Sequence, residues 1–263
     1  MKLIKKSKKL YFFECDSMNE LHTIISKQIT SEITEKSHTS LLLSPSHELK
    51  EIYEYIISDY KKRIVKFNSV CAYITHEFLD LEDLTVDLST RKWMNANLFD
   101  HINIKNKHIH YPTDFSDVEY SQYDRQIWKI GGIDLSLLVM KHNGNLISYD
   151  FLNDQNNLTH AVKLEESVID TFAKWYKMPK DIIPKFIVSV GKHSLLNTKR
   201  IIICATGSKC AEGILALSKG VINKKYPCTA LINHRDVRIY MDTEASKLLK
   251  KNNQYWTKRG SVQ

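Results

Sequence analysis

The sequence predicts an α/β fold of three layers, in which a mostly parallel central sheet carries helices on both faces. Short, nearly continuous apolar runs alternate along the chain with segments of helical periodicity, a pattern typical of buried strands between covering helices. The chain has 263 residues, 43% of them hydrophobic, with 8 Gly and 5 Pro. This length suffices for one large core and the scarce Gly and Pro leave little room for linkers, so we expect one domain over residues 1–263.

Seven strands and five helices follow from these patterns in chain order. Nearly continuous apolar runs predict strands at 39–43, 70–75, 133–140, 186–190, 200–205, 228–232 and 237–241. Helical periodicity predicts helices at 45–63, 93–99, 118–128, 208–219 and 243–250. The 133–140 run is the clearest strand, because only Asp134 and Ser136 interrupt it. The first helix has a well-marked start, since Ser44 can cap it and Pro45 suits its first position.

The composition excludes several classes of protein. The net charge of +8, from 38 basic and 30 acidic residues, permits binding of nucleic acid or anions without requiring it. No Arg-rich block, zinc-ligand spacing or aromatic-basic signature accompanies this charge, so we expect no nucleic-acid partner. The five cysteines form no CxxC pair, and the apolar stretches are too short for a signal sequence or a membrane helix. We therefore expect reduced thiols, no membrane partner and a cytoplasmic location.

Ligands of parallel sheets bind beyond the carboxyl ends of the strands, and the first such segment is 44–48. A strand-to-helix turn can hold a phosphate on free backbone N–H groups, which makes Ser44, Ser46 and His47 candidate ligand-binding residues. Glu48 would repel a phosphate and instead complements the helix dipole. The segment is therefore either a simple capped helix start, which we favour, or an anion site.

The second segment, 75–80, brings an imidazole and a carboxylate out of a strand together. His76 and Glu77 are candidate catalytic residues, because a His beside a carboxylate can act as a general base near neutral pH. Adjacent residues of a strand point in different directions, however, so the pair is also consistent with a structural role.

The third and fourth segments are turns. Residues 140–150 contain a strong Asn-Gly turn signal, and the candidates there are the catalytic residues His142 and Asp150 and the ligand-binding residues Asn143, Gly144 and Asn145. Residues 205–210 form a small-residue turn before a helix. Gly207 and Lys209 are candidates for binding an anionic group, and the alternative is a solvated helical lysine.

Taken in order, these segments resemble the glucosamine-6-phosphate deaminase (isomerase) family, whose superfamily includes 6-phosphogluconolactonases. The resemblance covers about residues 40–245 and is carried by the Phe-Asp-His-Ile run at 99–102, the Gly-Gly-Ile-Asp-Leu run at 131–135, residues 184–191, the Ala-Thr-Gly run at 205–207, and Thr-Ala-Leu at 229–231 with His234 nearby. It implies a Rossmann-like fold, a sugar-phosphate ligand, and isomerisation of an amino-sugar 6-phosphate with loss of ammonia. We expect neither a cofactor nor a metal ion.

The resemblance also implies site residues, and the chain departs from the family at most of them. His76 stands where the family has its Asp base, while Glu77 matches the Glu that follows. In the Gly-x-Asp-Gly-His turn only Gly144 is retained, and Asn145 replaces the ring-opening His. Asp150 takes the place of a later family Glu.

The residues expected to bind the phosphate depart as well. The phosphate-loop Gly and Thr are replaced in segment 44–48. The family Lys after Ala-Thr-Gly falls on Cys210, and Lys209 is one residue early, a rotation of about 100° on a helix. Lys174 matches a family Arg but lacks its bidentate fork.

Two hypotheses follow. The first is a diverged enzyme that binds or isomerises a sugar phosphate, with His76 as base and His142 as acid. The second is a non-catalytic member that senses a sugar phosphate or binds a partner. Asn145 cannot transfer a proton, and each general acid–base step is worth roughly 10²–10⁴ in rate. On either hypothesis we do not expect an ordinary deaminase, and the sequence leaves a homo-oligomer open.

Overall fold

An eight-stranded sheet forms the centre of the computed structural model, which describes residues 1–79, 88–115, 119–146 and 157–259, with the backbone alone at 143 and 253–259. The strands are β1 Lys2–Ser7, β2 Leu10–Glu14, β3 Thr39–Leu43, β4 Val70–Ile74, β5 His76–Phe78, β6 Ile109–His110, β7 Leu135–Val139, β8 His160–Lys163, β9 Phe186–Ser189, β10 Arg200–Ala205 and β11 Val237–Met241. The helices are α1 Met18–Glu35, α2 Lys50–Lys61, α3 Thr90–Asn97, α4 Gln122–Lys129, α5 Glu166–Tyr176, α6 Lys192–Leu196, α7 Ala211–Ser218 and α8 Thr243–Arg259.

The strand order of the large sheet is β1-β2-β11-β10-β7-β3-β4-β6. Strand β1 is antiparallel to β2, and the other neighbouring pairs are parallel. The mostly parallel central sheet predicted from the sequence is therefore confirmed.

Helices cover both faces of this sheet because alternate residues of each strand point to opposite sides. Leu41 and Leu43 of β3 belong to a buried cluster with residues of α1, α2 and α3. Leu42 belongs to a second cluster with residues of α4, α7 and α8. The three-layer α/β class is confirmed. None of the helices in the described ranges is long and apolar enough to span a membrane.

A small antiparallel sheet, in the order β5-β9-β8, lies beyond the carboxyl end of β4. Its apolar residues pack with α5 in a third cluster that includes Phe78, Val168 and Ile187. The predicted strand at 186–190 exists, but it belongs to this sheet and not to the parallel one. The small sheet places α5 over the carboxyl edge of the large sheet.

The strand predicted at 228–232 is wrong. The segment lies in a 3-10 helix, Pro227–Asn233, that starts at a proline. The Thr229 hydroxyl donates to the carbonyl oxygen of Tyr226 at 2.8 Å, and the Cys228 thiol donates to that of Gly213 at 3.4 Å. A short buried apolar run does not distinguish a strand from a helical turn by periodicity alone.

The predicted helix at 45–63 begins later than expected. Its first turn is a 3-10 helix, His47–Leu49, and α2 starts at Lys50. The predicted helices at 93–99 and 118–128 correspond to α3 and α4, which start at Thr90 and Gln122.

Asp134 joins three neighbouring strands at the amino end of β7. Its carboxylate accepts hydrogen bonds from the Ser40 amide at 2.9 Å, from Lys199 Nζ at 2.8 Å and from Lys36 Nζ. Burial raises the pKa of this carboxyl, but the two lysines and the Ser40 amide outweigh burial and hold the pKa at about 2. The Asp of the Gly-Gly-Ile-Asp-Leu run thus stabilises the sheet by bonding to groups at the ends of neighbouring strands.

We expect Asp134→Asn to lower the free energy of unfolding by about 2 kcal/mol at neutral pH. The folded pKa lies below the ordinary value of 3.8, so the ionised carboxylate stabilises the fold above that value and the effect is lost as pH falls toward 2. Urea unfolding of both proteins at neutral and acidic pH measures this. Asp16→Asn, on a side chain that is 83% exposed, is the control. Equal stabilities at neutral pH would contradict the assignment.

Candidate functional site

A crevice lies at the carboxyl edge of the large sheet, between the turns after β3 and β4 and helix α5. Its free volume is about 20 Å³, which is room for about one water molecule. Its lining includes Ser46, His47, His76, Trp93 and Trp175. Three of the sequence-predicted site residues, Ser46, His47 and His76, therefore come together at this place.

An ion pair lies next to the crevice, bonded to the lining residue Ser46. The Nζ of Lys141 lies 2.6 Å from Glu48 Oε1 and 2.9 Å from Ser46 Oγ, and the Ser46 hydroxyl donates to Glu48 Oε2 at 2.5 Å. The side chains of Lys141 and Glu48 are 31% and 32% exposed. Burial raises the pKa of the Glu48 carboxyl, but the charge and hydrogen bonds of Lys141 and Ser46 outweigh burial and lower it. A carboxylate and an ammonium thus saturate each other beside Ser46.

Aromatic side chains lie beside this ion pair. Lys141 Nζ lies 4.7 Å from the ring centre of Trp175, a cation–π contact. The His47 ring contacts Trp93, Trp175 and Tyr176 edge-on, at centroid distances of 5.7, 6.0 and 6.5 Å. Helix α5 supplies Trp175 and Tyr176, so it forms the outer wall of the crevice.

His76 begins β5 and its imidazole faces the crevice. Its Nδ1 lies 3.0 Å from the hydroxyl of Thr75, which in turn lies 3.4 Å from that of Ser44. Burial, together with the positive charge of Lys141, lowers the pKa of His76 to about 4. The imidazole is therefore neutral at neutral pH, and its low pKa makes it a weak base.

Glu77 points away from the crevice and holds the start of α3. Its buried carboxylate accepts hydrogen bonds from the amides of Thr90 and Arg91, both at 2.9 Å, and from the Ser89 hydroxyl at 3.3 Å. Successive residues of a strand face opposite sides, which explains why His76 and Glu77 separate. The carboxylate stabilises the positive end of a helix.

The turn after β7 is a packing element. A Cβ on Gly144, whose φ is +72°, would lie 2.6 Å from the Sγ of Cys228, so α7 and the 3-10 helix that follows it leave space for glycine alone. His142 is exposed. The pKa of nearby Glu212 on α7 is lowered mainly by the hydrogen bond from the Tyr226 hydroxyl and by the charge of Lys225. Asn145 is half-buried beside this turn. Of Asn143 only the backbone is described, and Asp150 lies outside the described residues.

The candidates at the fourth strand end are dispersed. The amide of Gly207 donates to the carboxylate of Asp242 at 2.8 Å. Lys209 and Lys174 are both exposed. The Cys210 thiol is buried, donates to the Met140 carbonyl oxygen at 3.0 Å, and has its pKa raised to about 11, mainly by burial. It is therefore protonated and unreactive at neutral pH.

Lys141, Trp93 and Trp175 are absent from the sequence-based candidates. Lys141 could have been found, since it directly follows the predicted strand 133–140. Trp175 gave no such signal, because α5 follows β8, a strand of the small antiparallel sheet and not of the parallel one. Among the described residues no group of three His, Cys, Asp or Glu side chains is placed to hold a metal ion.

Comparison with known proteins decides the family. No family model matches the chain. The chain is 30% identical to the glucosamine-6-phosphate deaminase of Thermoanaerobacter sp. (strain X514) over 224 residues, 84% of this chain and 88% of the relative. It is 31% identical to that of Clostridium perfringens (strain SM101 / Type A) over 235 residues, 88% of this chain and 96% of the relative. The chain belongs to the glucosamine-6-phosphate deaminase family.

Solved structures agree with this membership of the glucosamine-6-phosphate deaminase family. A monomeric glucosamine-6-phosphate deaminase superposes with a TM-score of 0.82 at 26% identity, covering 90% of this chain and 99% of that one. A 6-phosphogluconolactonase from Thermotoga maritima gives a TM-score of 0.66 at 16% identity, over 89% and 99% of the two chains. The second likeness concerns the fold alone. The resemblance stated from the sequence is confirmed.

We expect Glu77→Ala to lower the free energy of unfolding by about 2 kcal/mol, because it leaves buried amides at the start of α3 without an acceptor. Urea unfolding measures this effect. Glu54→Ala, on a side chain that is 58% exposed, should change stability by less than about 0.5 kcal/mol. If the two variants were equally stable, the capping role of Glu77 would be excluded.

Proposed function

We propose that this protein is a non-catalytic member of the glucosamine-6-phosphate deaminase family, which acts by binding a partner and does not release ammonia from glucosamine 6-phosphate. The observation that carries the proposal is the Glu48–Lys141 ion pair beside Ser46. By the family resemblance, this turn after β3 is where a sugar phosphate would be held. In this chain a carboxylate of the protein is bonded there.

The charge of Glu48 opposes a phosphate at this place. A phosphate that approached Ser46 and Lys141 would have to displace the Glu48 carboxylate or accept its repulsion. Two like charges about 4 Å apart repel by about 4 kcal/mol at an effective dielectric constant near 20. The closed crevice adds to this, since its 20 Å³ of free volume is far below the roughly 300–1,000 Å³ of ligand pockets.

The proton-transfer groups also support the proposal. His76 stands at the family position of the base, and with a pKa of about 4 it binds a proton weakly. Glu77 is engaged at the start of α3. Asn145, at the position of the ring-opening His, carries no transferable proton. A deaminase mechanism would therefore lack both its base and its acid.

A diverged isomerase is the second candidate, favoured by one observation. His76 lines the crevice in its neutral, proton-accepting form, so it could remove a proton from a sugar phosphate that opened the site. On that hypothesis His76→Ala abolishes turnover without unfolding the protein.

We expect ammonia release from glucosamine 6-phosphate to be at least about 10⁴-fold slower than by the Clostridium perfringens relative, since two acid–base steps are missing. A coupled ammonia assay of both proteins under one set of conditions measures this. Release within about 100-fold of the relative would contradict the proposal, and its loss in His76→Ala would then establish the diverged isomerase.

A binding experiment tests the role of Glu48 separately. Glucosamine 6-phosphate should leave the melting temperature of the wild type unchanged and should raise that of Glu48→Ala, because the ammonium of Lys141 is then free. Glu54→Ala, which removes a carboxylate of an exposed pair with Lys50, is the matched control. A rise in the wild type equal to that in Glu48→Ala would show that Glu48 does not exclude phosphate.

A further inference from the structure

A second concave surface, which shares no lining residue with the crevice, lies between α7, α8 and the 219–226 segment that follows α7. We call it the α7–α8 groove. Its volume is about 670 Å³, and its apolar lining includes Leu215, Ala216, Val221, Ile222 and Leu248. That volume falls in the range of roughly 300–1,000 Å³ that binding pockets occupy.

The groove exposes apolar surface that nothing described in the structure covers. Val221 and Ile222 are 68% and 57% exposed, the highest values among the large hydrophobic side chains of the described residues. Single exposed aliphatic residues are ordinary. Two in succession on the wall of an apolar groove are typical of a surface that another molecule covers.

The charge around the groove is positive. Lys219 and Lys224 line it, and no described carboxylate lies within ion-pair distance of either ammonium. Glu212 is the one acidic residue in the described lining, and it is engaged by the Tyr226 hydroxyl at 2.7 Å and by Lys225 at 3.8 Å. A ligand here therefore meets apolar side chains with unneutralised ammonium groups beside them.

The apolar concave shape and the positive charge of the groove distinguish between its possible ligands. A second copy of the chain would bring a net charge of +8 and its own lysines against the same rim, which repel. A flat bilayer would not fill a concave groove. An amphipathic segment with apolar residues on one face and Asp or Glu on the other matches both the shape and the charge.

We propose that the α7–α8 groove binds an acidic amphipathic segment of a partner protein. Val221 and Ile222 contact its apolar face, and Lys219 and Lys224 contact its carboxylates. None of these residues lines the crevice, so this proposal and the absence of deaminase activity can fail independently.

The test uses a fluorescein-labelled helical peptide of about 18 residues, with leucines on one face and glutamates on the other, and a twin with lysines in place of the glutamates. We expect fluorescence anisotropy to detect binding of the acidic peptide alone, weakened several-fold when salt rises from about 50 to 300 mM. Ile222→Asp should weaken binding about tenfold or more. The paired change Lys219→Glu and Lys224→Glu should remove the preference for the acidic peptide.

Matched variants control for non-specific effects. Ile64→Asp alters a side chain of nearly equal exposure, 56%, and the pair Lys27→Glu and Lys107→Glu makes the same charge change elsewhere; neither should alter binding. The proposal is overturned by equal binding of the two peptides, by no binding at millimolar peptide, by an effect of Ile64→Asp equal to that of Ile222→Asp, or by binding to phosphatidylserine vesicles in place of the peptide.

Discussion

The ammonium of Lys141 is the charge on which the crevice depends. It contacts the Glu48 carboxylate, the Ser46 hydroxyl and the ring of Trp175, and so joins the turn after β3, the turn after β7 and helix α5. A half-buried ion pair needs both of its members, because removal of one leaves the other charge poorly solvated and without a partner. The same ammonium acts with burial to lower the pKa of His76. One side chain thus ties together the elements around the crevice and contributes to the low pKa of His76.

The parallel sheet explains why these groups meet. Strands β3 and β7 are neighbours, and the Ser44 amide donates to the Leu137 carbonyl oxygen at 3.2 Å. The carboxyl ends of the two strands therefore lie side by side. The apolar runs mark both strands, so the sequence predicts that Ser46 and the turn after β7 lie at the same edge of the sheet. It did not predict the pairing of Glu48 with Lys141, since that pairing depends on the 3-10 turn at His47–Leu49.

Side-chain alternation and apolar periodicity along the sequence predicted some structural features and missed others. The alternation of side chains along a strand correctly anticipated that His76 and Glu77 separate, although not that Glu77 stabilises α3. The same rules missed the aromatic wall of the crevice, because α5 and its antiparallel sheet are positioned by tertiary packing of residues such as Phe78 and Ile187. The apolar run at 228–232 was wrongly predicted as a strand for a related reason. It is buried against α7, and a short buried 3-10 helix is as apolar as a buried strand.

The protonation of His76 tests the account of the crevice most directly. A pH titration of the His76 imidazole by NMR, assigned by comparison with His76→Ala, measures its pKa in the folded protein. Burial of the ring, together with the positive charge of Lys141, predicts a value of about 4. A value at or above the ordinary 6.5 would mean that the ring is open to water or paired with a carboxylate. The claim that this member of the family lacks a working acid–base group would then be contradicted.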